Sequence, residues 1–152
     1  MLTITGYILK FDSEINVAGR KIFLPEVAGY QVCKDINMCF KHNNPVYGLA
    51  ADIPYNNITN YDKCFDIVRA EYSKKSIFIK ARVYADKEDV VYNLFRRHVL
   101  YFGTHISYTG TYIRDTGMSS NIIIVNNFTL NCIFLTENKK YDESIPVCIK
   151  VD

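Results

Sequence analysis

A base and a hydroxyl, the two groups needed for nucleophilic acyl transfer, stand 65 positions apart in this chain, each in a short apolar frame. His42 lies in Met38-Cys39-Phe40-Lys41-His42-Asn43-Asn44-Pro45, with Gly48 three residues further on. Ser107 lies in Phe102-Gly103-Thr104-His105-Ile106-Ser107-Tyr108-Thr109-Gly110. A serine hydroxyl is a weak nucleophile until a base within hydrogen-bond reach takes its proton. That makes His42 the candidate base and Ser107 the candidate nucleophile of a serine hydrolase. Each residue alone has a plainer reading, as an ordinary histidine or as one of the many serines of β-structure. Ser119 and Ser120, in a turn-like stretch, are weaker candidates.

The elements that must position these residues can be read from periodicity. Leu2, Ile4, Tyr7 and Leu9 are the apolar positions of an expected strand over 2–11, whose alternation slips at Gly6 as a β-bulge would make it. A loop over 12–19 leads to a strand over 20–24, stopped by Pro25. Residues 35–41 read as an apolar, β-like segment ending at His42. Asn43-Asn44-Pro45 is turn chemistry, and a strand resumes over 46–53. Residues 54–62 are a loop. Residues 60–72 read as a strand, with a short helix as the alternative, before a hairpin turn at Ser73-Lys74-Lys75 and a cleanly alternating strand over 76–84.

The main helix is expected at about 87–102, N-capped by Asp86 and closed by Gly103, with Glu88 and Asp89 at the positive end of its dipole. A strand over 105–114, a turn at Asp115-Thr116-Gly117, strongly β segments at 121–125 and 128–135, and a last strand over 147–151 follow. One convincing helix among strands predicts a mainly β (α+β) fold, a β-barrel or closed sheet with a few helices packed on it. The length fits a single domain over 1–152.

Composition narrows the function classes. The basic residues are scattered and the formal net charge is +2, unlike the basic stripe of a nucleic-acid binder. No apolar run approaches a membrane span, and Met1 leads straight into a strand-like segment, so neither a membrane nor a secretory route is expected. The five cysteines, Cys33, Cys39, Cys64, Cys132 and Cys148, form no CxxC pair. They read as small buried thiols of a reducing compartment, with no metal and no cofactor implied.

Three segments, in order, resemble the prohead (capsid maturation) proteases of tailed DNA phages, relatives in fold of the herpesvirus assemblin proteases. The first is Ile4-Thr5-Gly6-Tyr7 with Phe11, Gly19, Ile22 and Pro25, although Glu26 stands where that family has a glycine. The second is Phe40-Lys41-His42-Asn43-Asn44-Pro45 with Gly48, similar to the family's Phe-Asn-His-Asp-Pro. The third is the helix before Ile106-Ser107-Tyr108, similar to the family's helix, Gly-Met-Ser-Phe and strand. The similarity covers residues 2–137.

The resemblance implies a serine endopeptidase that cleaves scaffold and capsid proteins during procapsid maturation, with His42 as base and Ser107 as nucleophile. Its place of action would be the host cytoplasm, inside the assembling procapsid or in the virion. Its partners would be capsid and scaffold proteins, with self-association into a homo-oligomer also open. The family carries an acidic residue on a late strand to orient the histidine. Here Thr129 or Asn131 stands in its place, and no Asp or Glu occurs between Asp115 and Glu137. An amide can hold an imidazole by hydrogen bonding, but without a carboxylate the imidazolium is less stabilised, at a cost of ~10²–10⁴ in rate. His105, on the same strand face as Ser107, is another option for the third role. The alternative is a catalytically inactive virion or assembly protein on the same fold.

Overall fold

The structure is a computed structural model that describes residues 1–17, 20–114, 121–137 and 145–151. Strands account for 51% of it, with two helices, which makes the fold mainly β. β1 (Leu2–Ile8) is sandwiched between β6 (Ser76–Val83) and β9 (Cys148–Val151), antiparallel to both. Its pairing with β6 runs unbroken from Thr3 opposite Arg82 to Ile8 opposite Ile77, so the expected bulge at Gly6 is absent. The even positions carry the alternation: Leu2, Ile4 and Ile8 are buried, while Tyr7 meets Phe78 edge-on across the other face. Gly6 belongs to the buried set, where a Cβ would fall 2.7 Å from the Phe102 ring and from Val147.

β2 (Glu14–Val17) and β3 (Arg20–Phe23) form a hairpin where only a loop and one strand were expected. β7 (Tyr101–Arg114) and β8 (Asn121–Thr136) form a long antiparallel pair. The other edge of β8 is shared by two parallel neighbours. Ile22 of β3 lies opposite Ile123, and Gly48 of β4 (Val46–Leu49) lies opposite Ile133. From β4 the sheet continues through β5 (Lys63–Ser73), β6, β1 and β9. It therefore branches at β8, has β2, β7 and β9 as its edge strands, and curls into an open half-barrel rather than a closed barrel.

The main core includes Ile4, Phe11, Ile22, Leu24, Phe65, Ile67, Ile77, Ile79 and Ile133. A second, smaller cluster of Leu49, Cys132 and Phe134, flanked by Tyr47, Ile53 and Ile58, forms elsewhere on β4 and β8. Because successive strand residues point to opposite faces, Ile133 and Leu135 enter one cluster while Cys132 and Phe134 enter the other.

The chain between β3 and β4 is helical. α1 (Glu26–Lys41) occupies the stretch where residues 35–41 read as β-like. Its buried residues, Gly29, Val32, Cys33 and Ile36, follow the i, i+3, i+4, i+7 stripe of an amphipathic helix, and that stripe begins upstream of the apolar window. Pro25 precedes the first turn without a capping side chain, and the Asp12 carboxylate instead accepts the Glu26 N–H at 3.0 Å. The helix packs on β5, where Asn37 bridges the Ala70 backbone, donating to its C=O at 2.8 Å and accepting its N–H at 3.1 Å. That amide occupies the strand edge beyond Ile67, the last β5 residue paired with β4.

α2 (Glu88–Arg97) is shorter than expected. Its N-cap is Lys87 rather than Asp86, and it stops at His98, whose N–H bonds back to the Leu94 carbonyl. Gly103 does not close it, for it lies inside β7. Leu100 and Phe102 are buried at strand spacing, and the Leu100 carbonyl accepts the Val147 N–H at 2.9 Å, so sheet burial wins over helical continuation. Residues 60–72 resolve in favour of the strand, as β5. The expected turn at Asp115-Thr116-Gly117, with Ser119 and Ser120, lies outside the described residues. Three of the five cysteines are buried, whereas Cys39 is half-buried and Cys148 exposed.

Candidate active site

His42 sits at the C-cap of α1, and the local sequence explains why the chain turns there. Asn43 adopts a left-handed conformation with φ 56°. Its N–H bonds the Phe40 carbonyl at 3.1 Å and the Asn44 N–H bonds the Cys39 carbonyl at 2.9 Å, while the His42 N–H bonds Met38. This is the Schellman pattern, with asparagine in the position usually given to glycine and proline just beyond it. Helix burial and this cap fix the His42 backbone at the approach to β4, and its side chain is exposed. β4, which follows this turn, pairs in parallel with β8 through Gly48 opposite Ile133 and Leu49 opposite Phe134.

Ser107 lies midway along β7, opposite Thr129. The ladder slips next to it: His105 pairs with Cys132 but Ile106 pairs with Leu130, which leaves Asn131 as an extra residue on β8. Such a bulge bends the strand and re-aims a side chain. Asn131 Nδ2 donates to Ser107 Oγ at 2.8 Å. A second slip between Thr109 and Gly110 leaves Asn126 over in the same way. Two of the four asparagines of β8, Asn126 and Asn131, thus take bulge positions, whereas Asn121 and Asn127 stay paired with β7.

Of the candidate residues, the structure brings Ser107 and Asn131 into contact and sets Thr129 across the ladder from Ser107. Among the described residues, no hydrogen bond or ion pair joins the His42 ring to Ser107, Asn131 or Thr129. The Asn131 amide donates to the hydroxyl oxygen, so it leaves the Ser107 proton available to a base and does not itself remove it.

His105 stands two residues before Ser107, and its ring centroid lies 4.8 Å from that of Phe134. Its Nε2 lies 2.9 Å from the Ile53 carbonyl oxygen and 3.3 Å from Asp52 Oδ1. Both partners are acceptors, so Nε2 carries the proton in this arrangement. The histidine–carboxylate couple on this part of the sheet is therefore His105 with Asp52. Asp52 comes from the connection after β4, and no spacing pattern in the sequence marks it. Opposite His105 in the ladder, burial pushes the Cys132 thiol up to about 11, away from thiolate chemistry. Among the described residues, no group of three His, Cys, Asp or Glu is placed to hold a metal ion, and no helix is long and apolar enough to cross a membrane.

No protein-family model matches this chain, and no curated protein matches its sequence. Its structure is similar to that of the bacteriophage T4 capsid assembly protease, gp21, with a TM-score of 0.63. The two are 19% identical, and the match covers 88% of this chain and 80% of that one. At this identity the likeness is one of fold. The chain has the fold of a phage capsid assembly protease.

Proposed function

We propose that this protein is a serine endopeptidase of the prohead-protease type, acting on capsid or scaffold proteins in an assembling procapsid, with the herpesvirus assemblin proteases as further relatives in fold. The observation that carries this reading is the likeness of fold, over 88% of the chain, to a capsid assembly protease. The 2.8 Å Asn131–Ser107 bond supports the choice of nucleophile, because it orients an exposed hydroxyl on the strand that faces the His42 turn across β8.

In this mechanism Ser107 Oγ attacks the scissile carbonyl carbon while His42 takes the hydroxyl proton. The C–N bond then breaks, and His42 returns that proton to the leaving amine. Water, deprotonated by the same imidazole, hydrolyses the acyl-enzyme and regenerates the serine. Catalytic hydrogen bonds are often long before substrate binds, and this mechanism requires the His42 ring to reach Ser107 in the loaded site. Asn131 fixes the hydroxyl, and Thr129 lines the same stretch of β8.

The test is co-production of this chain with candidate capsid and scaffold proteins as substrates. Processing that disappears with Ser107→Ala supports the proposal, whereas unchanged processing overturns it. A second reading, a non-catalytic assembly protein, is favoured by the lack of a carboxylate at 129 and 131, where the resemblance implies one. An intact chain present stoichiometrically in mature particles would select that reading.

A further inference from the structure

Ser107 shares its face of β7 with His105, one strand repeat of roughly 7 Å away. The His105 ring lies over Phe134, and its Nε2 reaches residues 52 and 53 of the connection between β4 and β5. Ile53 and Ile58 of that connection pack with Tyr47 on Leu49, Cys132 and Phe134. The far end of the connection is tied as well: the Thr59 N–H and hydroxyl both donate to Asp62 Oδ2 at 2.9 Å. The connection is thus laid across the sheet beside an exposed serine, packed through Ile53 and Ile58 and tied near its start, at residues 52 and 53, by a side chain from the serine's own strand.

We propose that His105 is a positioning residue: by holding residues 50–58 down through Ile53 and Asp52, it makes that segment a wall that limits the size of group able to reach position 107. His105 acts through the segment and does not touch the reacting atoms. That the wall selects among substrate side chains rests on the reading of Ser107 as nucleophile, whereas the tether and the screening do not. The ring contact with Phe134 fixes the direction of the imidazole, and the Ile53 carbonyl requires a donor at Nε2. Phenylalanine at 105 would keep the first and lose the second, while glutamine would restore a donor.

The experiment uses Ser107→Cys as a reporter, alone and combined with His105→Phe or His105→Gln, with His105→Leu as a second donor-free variant should His105→Phe not fold. Alkylation by N-methylmaleimide and by the bulky N-pyrenylmaleimide is followed by mass spectrometry at the peptide carrying residue 107. The proposal expects the bulky-to-small rate ratio to rise about tenfold without the donor, the factor one hydrogen bond of ordinary net strength gives. It expects the glutamine variant to keep the parent ratio. Backbone amides of residues 51–58 should exchange faster in the donor-free variants alone. A ratio unmoved by loss of the donor, or moved equally by glutamine, overturns the proposal. The reporter does not depend on catalysis, so an inactive Ser107 would sink the proteolytic reading and leave this measurement decisive.

Discussion

Asn131 donates a 2.8 Å hydrogen bond to the Ser107 hydroxyl from the one residue of β8 that the ladder skips between Leu130 and Cys132. In a regular ladder the residue opposite Ser107 would be the only one set directly against it, and that residue is Thr129. The bulge brings a second polar side chain into the same row. The amide thus has a different task from the acid that the resemblance implies at 129 or 131, since it contacts the candidate nucleophile rather than the base.

Asn131→Ala removes that bond at a half-exposed position, so stability should change by no more than about 0.5 kcal/mol. Reaction of Ser107 with a fluorophosphonate should slow about tenfold, the equivalent of one ordinary hydrogen bond. Thermal melting together with labelling kinetics separates the two effects.

Asn37→Ala removes both bonds to the Ala70 backbone and leaves an N–H and a C=O on β5 without their partner. The expected cost is about 2 kcal/mol, seen as a lower melting temperature. Because α1 ends at His42, the substitution should also loosen the Schellman turn, which hydrogen exchange at Asn43 and Asn44 would register.

Gly48→Ala places a Cβ only 1.7 Å from the Phe65 ring, which is fully buried. Overpacking of this kind costs about 1–3 kcal/mol or more. Phe65→Leu in the same chain should recover part of the loss, since it shortens the side chain that the new methyl strikes. Denaturation midpoints of the two single variants and the double variant give the coupling.

Asp62 is held below its ordinary value of 3.8 by the Thr59 backbone N–H first and then by the Thr59 hydroxyl. A depressed folded value means that its contribution is full above the unfolded value and lost as pH falls through the folded one. Amide exchange over residues 59–62, corrected for its intrinsic pH dependence, should therefore report an opening of the turn only at strongly acid pH. Asp62→Asn should abolish that transition.

Much of the sheet was readable because its strands alternate, and the β5–β6 hairpin because two exposed lysines separate two alternating runs. Lys74 and Lys75 indeed take left-handed conformations, φ 54° and 59°, as a two-residue hairpin turn requires. Residues 35–41 look β-like because Ile36, Met38 and Phe40 recur at a spacing of two, whereas the residues α1 buries, Gly29, Val32, Cys33 and Ile36, lie at helical spacing and begin upstream of that window. At 98–103, helix and strand periodicities overlap, and only the burial of Leu100 and Phe102 decides between them. Ser107 and Asn131 were legible as residues, but the bulge that joins them was not, since it depends on cross-strand register. The pairing of His105 with Asp52 joins residues 53 positions apart and could come only from the fold.

Fluorophosphonate labelling of the purified protein probes whether Ser107 is a nucleophile served by His42. The expected result is one covalent adduct, mapped to Ser107, that is lost in Ser107→Ala and falls by orders of magnitude in His42→Ala. Absence of an adduct in the unmodified protein, or labelling of Ser107 that is indifferent to His42→Ala, would contradict it.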